Sequence, residues 1–205
     1  MVHIKQKGFT KMKREYIHKI FSKIPNLKTE LLTLRKLTPD DTDDMFEYAK
    51  RADVTQYLTW LPHENKGYTL QYLIYLQTRY KSGDFYDWAI VDNKTDKMIG
   101  TCGFTRFDFF NNSAEIGYVV NPEFHGQGIA SEACREIIKF GFERLGLNRI
   151  ECRYIPENKA SRRVMEKNNM TFEGIRRKSM LIKGEYRDIA TCAILKQEYE
   201  ASKKI

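Results

Sequence analysis

The sequence predicts one α/β (α+β) domain on a mixed, mostly antiparallel central sheet that contains a single parallel β-α-β crossover. Three observations carry that expectation. Apolar strands at about 86–92, 97–107 and 113–120 are joined only by Asp92-Asn93-Lys94-Thr95-Asp96 and Phe110-Asn111-Asn112, and connections so short and turn-rich make antiparallel neighbours. After Val120 come a glycine turn, a helix of about 129–145 and a strand of about 148–154, the order of a parallel crossover. A helix of about 159–168 and strands near 171–178 and 186–195 then close the chain.

The elements follow in order. Phe9, Met12, Tyr16, Ile17, Ile20, Phe21 and Ile24 recur mostly at spacings of three and four, which places them on one helix face until Pro25-Asn26 ends the run. Residues 31–37 read as the first strand of the body. Thr38-Pro39-Asp40-Asp41 opens a helix running to about Arg51, with a capping Thr, Pro at the first position and acids in the first turn. A second helix spans about 69–82, and Gly83 stops it. The chain therefore divides into a basic amphipathic helical extension at 1–28, a domain at 29–196 and a short tail at 197–205.

Composition narrows the class. Of 205 residues, 41% are hydrophobic and 30% charged, as in a globular protein. No apolar run approaches the roughly 18–20 residues of a membrane span, and the first residues lack the apolar core of a signal peptide. Cys102, Cys134, Cys152 and Cys192 make no C-x-x-C pair; they read as buried free thiols in a reducing, cytoplasmic setting. His3, His18, His63 and His125 lack ligand spacing, so no metal is expected. The net charge of +8 is local: residues 1–28 hold eight Lys and Arg against Glu15, and the remainder is nearly neutral. That basic helix could dock on ribosomal RNA or an acidic surface. The preferred alternative folds its apolar face onto the domain.

The turn His125-Gly126-Gln127-Gly128-Ile129-Ala130 carries the chemistry. A helix N-terminus offers unpaired N–H groups and about half a positive charge, so it holds phosphate without a basic side chain. A Walker loop is excluded because no Gly-Lys-Ser/Thr follows. The Rossmann fingerprint fails at its third glycine, which is Ser131, and no antiparallel meander precedes it in a dinucleotide fold. Taken alone, the turn leaves a ligand-free corner open.

Glu115-Ile116-Gly117-Tyr118-Val119-Val120, Pro122 and the turn through Ala133 resemble the acetyl-CoA motif of the GNAT acetyltransferases. Thr29-Glu30-Leu31-Leu32-Thr33-Leu34-Arg35, Gly146-Leu147-Asn148-Arg149 and Asn158-Lys159-Ala160-Ser161 are similar to the RimJ/RimL branch, which acetylates ribosomal-protein N-termini. The resemblance covers about residues 29–196. It implies the GNAT fold and acetyl-CoA as co-substrate, contacted by Tyr118, Val119, Val120, His125, Gly126, Gln127, Gly128, Ile129, Ala130, Ser131, Asn158 and Ser161. Three departures stand out. His125 takes a Gln/Arg place, Met165 stands where many members carry a catalytic Tyr, and Asn169-Met170 replaces Gly-Phe, with Asn able to keep a left-handed torsion.

Acetyl transfer needs a neutral amine, a polarised carbonyl and a protonated leaving thiolate. An α-amine costs about 1 kcal/mol to deprotonate at pH 7, a lysine about 4.6. Glu115 is the candidate base, against a reading as a plain strand carboxylate. The resemblance implies that Ser161 lies at the CoA sulfur, and with Asn158 it could equally cap its helix. The carbonyl oxygen is expected at a backbone N–H near Tyr118–Val120. Trp60-Leu61-Pro62-His63 with Tyr68, Tyr72 and Tyr75 could form an acceptor wall, although such aromatics read more readily as core. The leading expectation is acetyl transfer to a primary amine, the N-terminus of a ribosomal or other protein being the favoured acceptor. A polyamine or antibiotic acceptor, or a catalytically weak CoA-binding module, are the alternatives. The protein is expected as a monomer or homodimer.

Overall fold

The computed structural model describes residues 14–203; Phe9, Met12 and the basic residues up to Lys13 lie outside them. Helix α1 (Arg14–Phe21) leads to β1 (Leu27–Lys28) and β2 (Leu32–Arg35). A 3-10 turn at Pro39–Asp41 precedes α2 (Thr42–Ala49), α3 (Ala52–Thr55) and α4 (Lys66–Ser82). The meander β3 (Asp87–Asp92), β4 (Met98–Asp108) and β5 (Ser113–Val120) is followed by α5 (Ile129–Glu143), β6 (Arg149–Tyr154) and α6 (Lys159–Lys167). The chain ends with β7 (Thr171–Ile182), β8 (Glu185–Leu195) and α7 (Lys196–Ser202). One eight-stranded sheet has the order β1-β2-β3-β4-β5-β6-β8-β7, with β5 and β6 the parallel pair. This is the expected mixed α/β sheet of the GNAT fold with its single crossover.

Burial places the layers. On one face, α1 and α5 pack through Ile17, Phe21, Ala133, Ile137 and Phe140 onto Trp88, Ile90, Phe104 and Ile116. On the other, Tyr48, Leu73, Leu76 and Tyr80 of α2 and α4 cover Ala89, Val91 and Met98. Phe21 is fully buried and meets Trp88 and Phe140 edge-on, with centroids 5.3 and 6.2 Å apart. Edge-to-face contacts of this kind add to area burial. The described part of the basic extension is thus seated in the core, and Tyr16 donates to the carbonyl of Arg144 at 3.1 Å.

Several terminators behave as their chemistry requires. Gly83 caps α4 at φ +68°, and a Cβ there would lie 2.1 Å from the carbonyl oxygen of His18, so it also admits α1. Asn169 takes φ +57° after α6, as expected of an Asn in a glycine position. Asp41 accepts the Thr38 N–H at 2.7 Å and is gripped by Arg35.

Other expectations are corrected. Tyr68, Tyr72 and Tyr75 are exposed by 55, 37 and 53%, so these rings are not core; they lie on the solvent side of α4. The first predicted strand shrinks to four residues, and the last hairpin is longer than expected. Its two-residue turn, Lys183-Gly184, has φ of +50° and +84°, a conformation that matches strand twist and lets pairing run to the tip. The residues read as a C-terminal tail form α7, whose Tyr199 ring lies 5.0 Å from Phe142.

Candidate active site

Strand β5 ends at Val120, and the chain turns back toward α5. The Asn121 N–H donates to Ile99 and its side chain accepts the Glu123 N–H. His125, itself exposed, turns its ring back to the strand end, Nε2 lying 2.9 Å from the carbonyl oxygen of Val120. A carbonyl oxygen can only accept, so Nε2 carries the proton. The His125 side chain therefore pins the turn to the strand. Gly126 and Gly128 have φ of +79° and +83°, and a Cβ on either would meet nothing within 4 Å. Torsion, not crowding, selects glycine here, and the space beside both is open.

Gly128 is the N-cap of α5, with no side-chain cap. The N–H groups of the first turn, from Ile129, Ala130 and Ser131, have no partners within the helix. The side chains of Ile129 and Ser131 are buried, and the Ser131 carbonyl accepts from Asn168. What the turn offers an anion is backbone. An open, uncapped, left-handed glycine turn could hold a phosphate-type anion on backbone N–H groups alone. Gln127 is exposed, its amide 3.4 Å from the Glu123 carbonyl.

The parallel pairing covers Ser113–Arg149, Ala114–Ile150 and Glu115–Glu151, and stops there. Strand β6 continues along β8 to Tyr154. The edge of β5 from Ile116 to Val120 thus diverges from β6, and its outward N–H groups lack a strand partner on that side. Across this splay the Tyr118 hydroxyl reaches α6, 2.8 Å from Ser161 Oγ and 3.0 Å from the Ser161 carbonyl oxygen. Burial pushes the Tyr118 phenol well above its ordinary range, so it stays protonated. One phenolic proton cannot serve both acceptors. When it goes to Oγ, the serine proton is free for a third group. Asn158 Oδ1 accepts the Ser161 N–H at 3.0 Å, the expected helix cap.

Glu115 sits at the last paired row, on the face opposite α5, because its neighbours Ala114 and Ile116 point into the α5 core. It is 9% exposed. Arg153 Nη2 lies 2.7 Å from Glu115 Oε2. The pair is close but not aligned as a hydrogen bond, and Glu115 Oε2 and Arg153 Nε remain buried without hydrogen-bond partners. A bulge in β4 between Phe104 and Arg106 faces Ile116 and Glu115 and locally re-aims the strand.

Trp60 stands apart from this row. It packs with the α2–α4 core, its ring 5.4 Å from His63. Burial lowers the His63 pKa, and its Nδ1 meets Thr69 Oγ1 at 2.9 Å. Met165 is 1% exposed within the core, so it supplies no polar group to the splay. Two partners escaped the sequence reading: the Tyr118 hydroxyl and Arg153. The second had a signal, since a parallel neighbour of Glu115 carries opposite charge two residues on. All four cysteines are free and buried. Among the described residues no group of His, Cys, Asp or Glu could hold a metal ion, and no helix is long and apolar enough to cross a membrane.

Comparison with known proteins agrees with this architecture. A family model described as an acetyltransferase (GNAT) domain matches residues 32–171. The N-acetyltransferase p20 of Bacillus licheniformis, itself uncharacterized, is 35% identical over 173 residues, covering 84% of this chain and 97% of that protein. The ribosomal-protein-serine acetyltransferase of Escherichia coli is 33% identical over 98 residues, 47% of this chain and 54% of that one. The crystal structure of a GNAT-family acetyltransferase from Bacillus anthracis superposes with a TM-score of 0.76 at 29% identity, covering 85% of this chain and all of that one.

Proposed function

From the premise that the chain belongs to the GNAT acetyltransferase family, we propose that it moves acetyl from acetyl-CoA to the α-amine of a protein N-terminus, a ribosomal protein being the leading candidate. N-acetyl transfer with acetyl-CoA as co-substrate is the family's activity. The acceptor and the residue roles are our reading. The observation that carries it is the splay itself: an open strand edge with a serine hydroxyl on one side and a buried carboxylate at its closed end.

In this reading the backbone of residues 126–131 holds the pyrophosphate. Free N–H groups between Tyr118 and Val120 polarise the thioester carbonyl. Glu115 takes the proton of the attacking amine, directly or through one water. Ser161 donates a hydrogen bond to the departing sulfur while the Tyr118 hydroxyl, which keeps its proton, holds it in place, and the thiolate then takes its proton from solvent. The thiol's reference pKa of about 8.5 makes it a tolerable leaving group that needs only a weak acid. An α-amine suits a modest base because it costs about 1 kcal/mol to deprotonate at pH 7, against about 4.6 for lysine. The Escherichia coli relative, a ribosomal-protein-serine acetyltransferase, supports a ribosomal-protein acceptor. The unpaired thiols support a reducing compartment.

Incubating lysate proteins with isotopically labelled acetyl-CoA and mapping labelled peptides tests the proposal. Label on N-terminal α-amines, lost with Glu115→Gln, is expected. Label confined to small amines would reassign the acceptor, and coenzyme binding without any labelled amine would leave only a binding module.

A further inference from the structure

Beside Glu115, on the face of the sheet opposite α5, lies a cleft of about 420 Å³ whose wall includes Arg106, Glu151, Arg153, Glu173 and Arg176. Its floor is low because Arg153, Thr191 and Gly174 form one row across β6, β8 and β7, and a Cβ on Gly174 would meet nothing within 4 Å. Volumes of this size suit a small ligand or a short peptide segment.

The charges around it are unevenly satisfied. Arg149 grips Glu173 through two bonds of 2.6 and 2.5 Å and reaches Glu151 at 3.1 Å. Arg153 is spent on Glu115, although its Nε has no partner. The side chains of Arg106 and Arg176 form no ion pair or hydrogen bond among the described residues, yet both border the cleft. Guanidinium groups present a planar fork of donors matched to carboxylate. A cationic polyamine would meet repulsion from the same groups.

We propose that this cleft is a carboxylate subsite for the acceptor: Arg106 and Arg176 bind an acidic side chain just behind the reacting amine, so the preferred substrate is an acidic protein N-terminus. The inference rests on the N-terminal acetylation reading above and specifies its substrate. Arg153 couples the subsite to the chemistry. A carboxylate in the cleft offers the Arg153 guanidinium a second partner and loosens its hold on Glu115, the carboxylate that takes the amine proton in that reading. Arg106 and Arg176 are specificity residues, and Arg153 is a positioning residue.

The experiment compares the full-length enzyme with Arg106→Gln/Arg176→Gln on three peptides that begin Ser-Asp-Glu, Ser-Gln-Gln and Ser-Lys-Lys. Both arginines are exposed, so the variant keeps its fold, and acetyl-CoA affinity serves as the control. The wild type is expected to favour the acidic peptide over the neutral one by about 30-fold in kcat/KM, chiefly through KM, and the variant by less than about 3-fold. Binding of the N-acetylated acidic peptide in the presence of CoA, measured by calorimetry, should weaken about 10-fold in the variant. Peptides acetylated without regard to charge would overturn the subsite and leave the N-terminal reading standing. Arginine-dependent binding of the acidic product without acetylation of any peptide would uphold the subsite and overturn that reading. Neither acetylation nor product binding would overturn both.

Discussion

Strands β3 and β7 belong to one sheet but live in different surroundings. β3 buries five of its six residues, and β7 buries one of twelve. Helices α1 and α5 cover one face of the β3 region and α2 and α4 the other, so Trp88-Ala89-Ile90-Val91 is apolar without alternation. β7 is an edge strand dominated by Glu173, Arg176, Arg177 and Lys178, with charge along the edge as is usual where unpaired strands must not aggregate. The lesson is a division of labour. The doubly covered half holds the fold, and the singly covered half leaves a polar face open beside Glu115, where the proposal seats the acceptor.

Breaking the comparison starts in the buried half. Phe21→Ala removes a ring that touches Tyr86, Trp88, Phe104, Phe107 and Phe140 and should cost about 3–5 kcal/mol in denaturant unfolding. Ile175→Ala on β7, 50% exposed, should cost less than about 0.5 kcal/mol. Equal losses would erase the distinction between the halves.

At the boundary between them, the glycine turn separates backbone from side chain. Gly128→Val should weaken acetyl-CoA binding by more than about 100-fold, because the torsion at +83° is lost. His125→Ala should weaken it by less than about 5-fold, since the ring serves Val120 and not the ligand. Titration calorimetry on both variants decides, and the reverse order would mean that the side chain holds the phosphates.

A smaller effect is expected from Asp87, at the rim of the buried half. Burial pushes its carboxyl up to about 7, against hydrogen bonds from Thr101 and the Trp88 N–H that pull it down. A carboxyl whose folded pKa is raised stabilises most while protonated, and the benefit is lost as pH rises from about 4 through 7. The wild type should therefore lose stability between pH 5 and 8. Asp87→Asn should flatten that slope, gaining about 1–3 kcal/mol over the wild type at pH 8, discounted because the side chain keeps some solvent contact. Parallel slopes in urea titrations would assign the pH dependence elsewhere.

Much of this architecture is legible in the amino acids, and the limits have physical causes. The meander and helices α5 and α6 announce themselves because their periodicity persists over whole elements, and the ends of α4, α5 and α6 carry Gly83, Gly128 and Asn158. β1, α3 and α7, with two, four and seven residues, are too short for periodicity to register. The tyrosines of α4 mislead because aromatic mass says nothing about which way it faces. Within the site, the glycine turn is legible from local pattern, whereas the part proposed for Ser161 rests on the family resemblance and that for Glu115 on its position along β5. The Tyr118–Ser161 contact spans 43 positions and the Arg153–Glu115 pair joins two strands, so both need the splayed sheet before they exist.

The central claim is that the carboxylate on the open face moves the proton while the turn only holds the coenzyme. A single-turnover measurement with saturating acetyl-CoA and an acceptor peptide tests it most directly. Glu115→Gln should slow the acetyl-transfer step by about 100- to 1,000-fold at neutral pH with acetyl-CoA affinity unchanged. An unaltered rate, or a loss explained entirely by weaker coenzyme binding, would contradict the account.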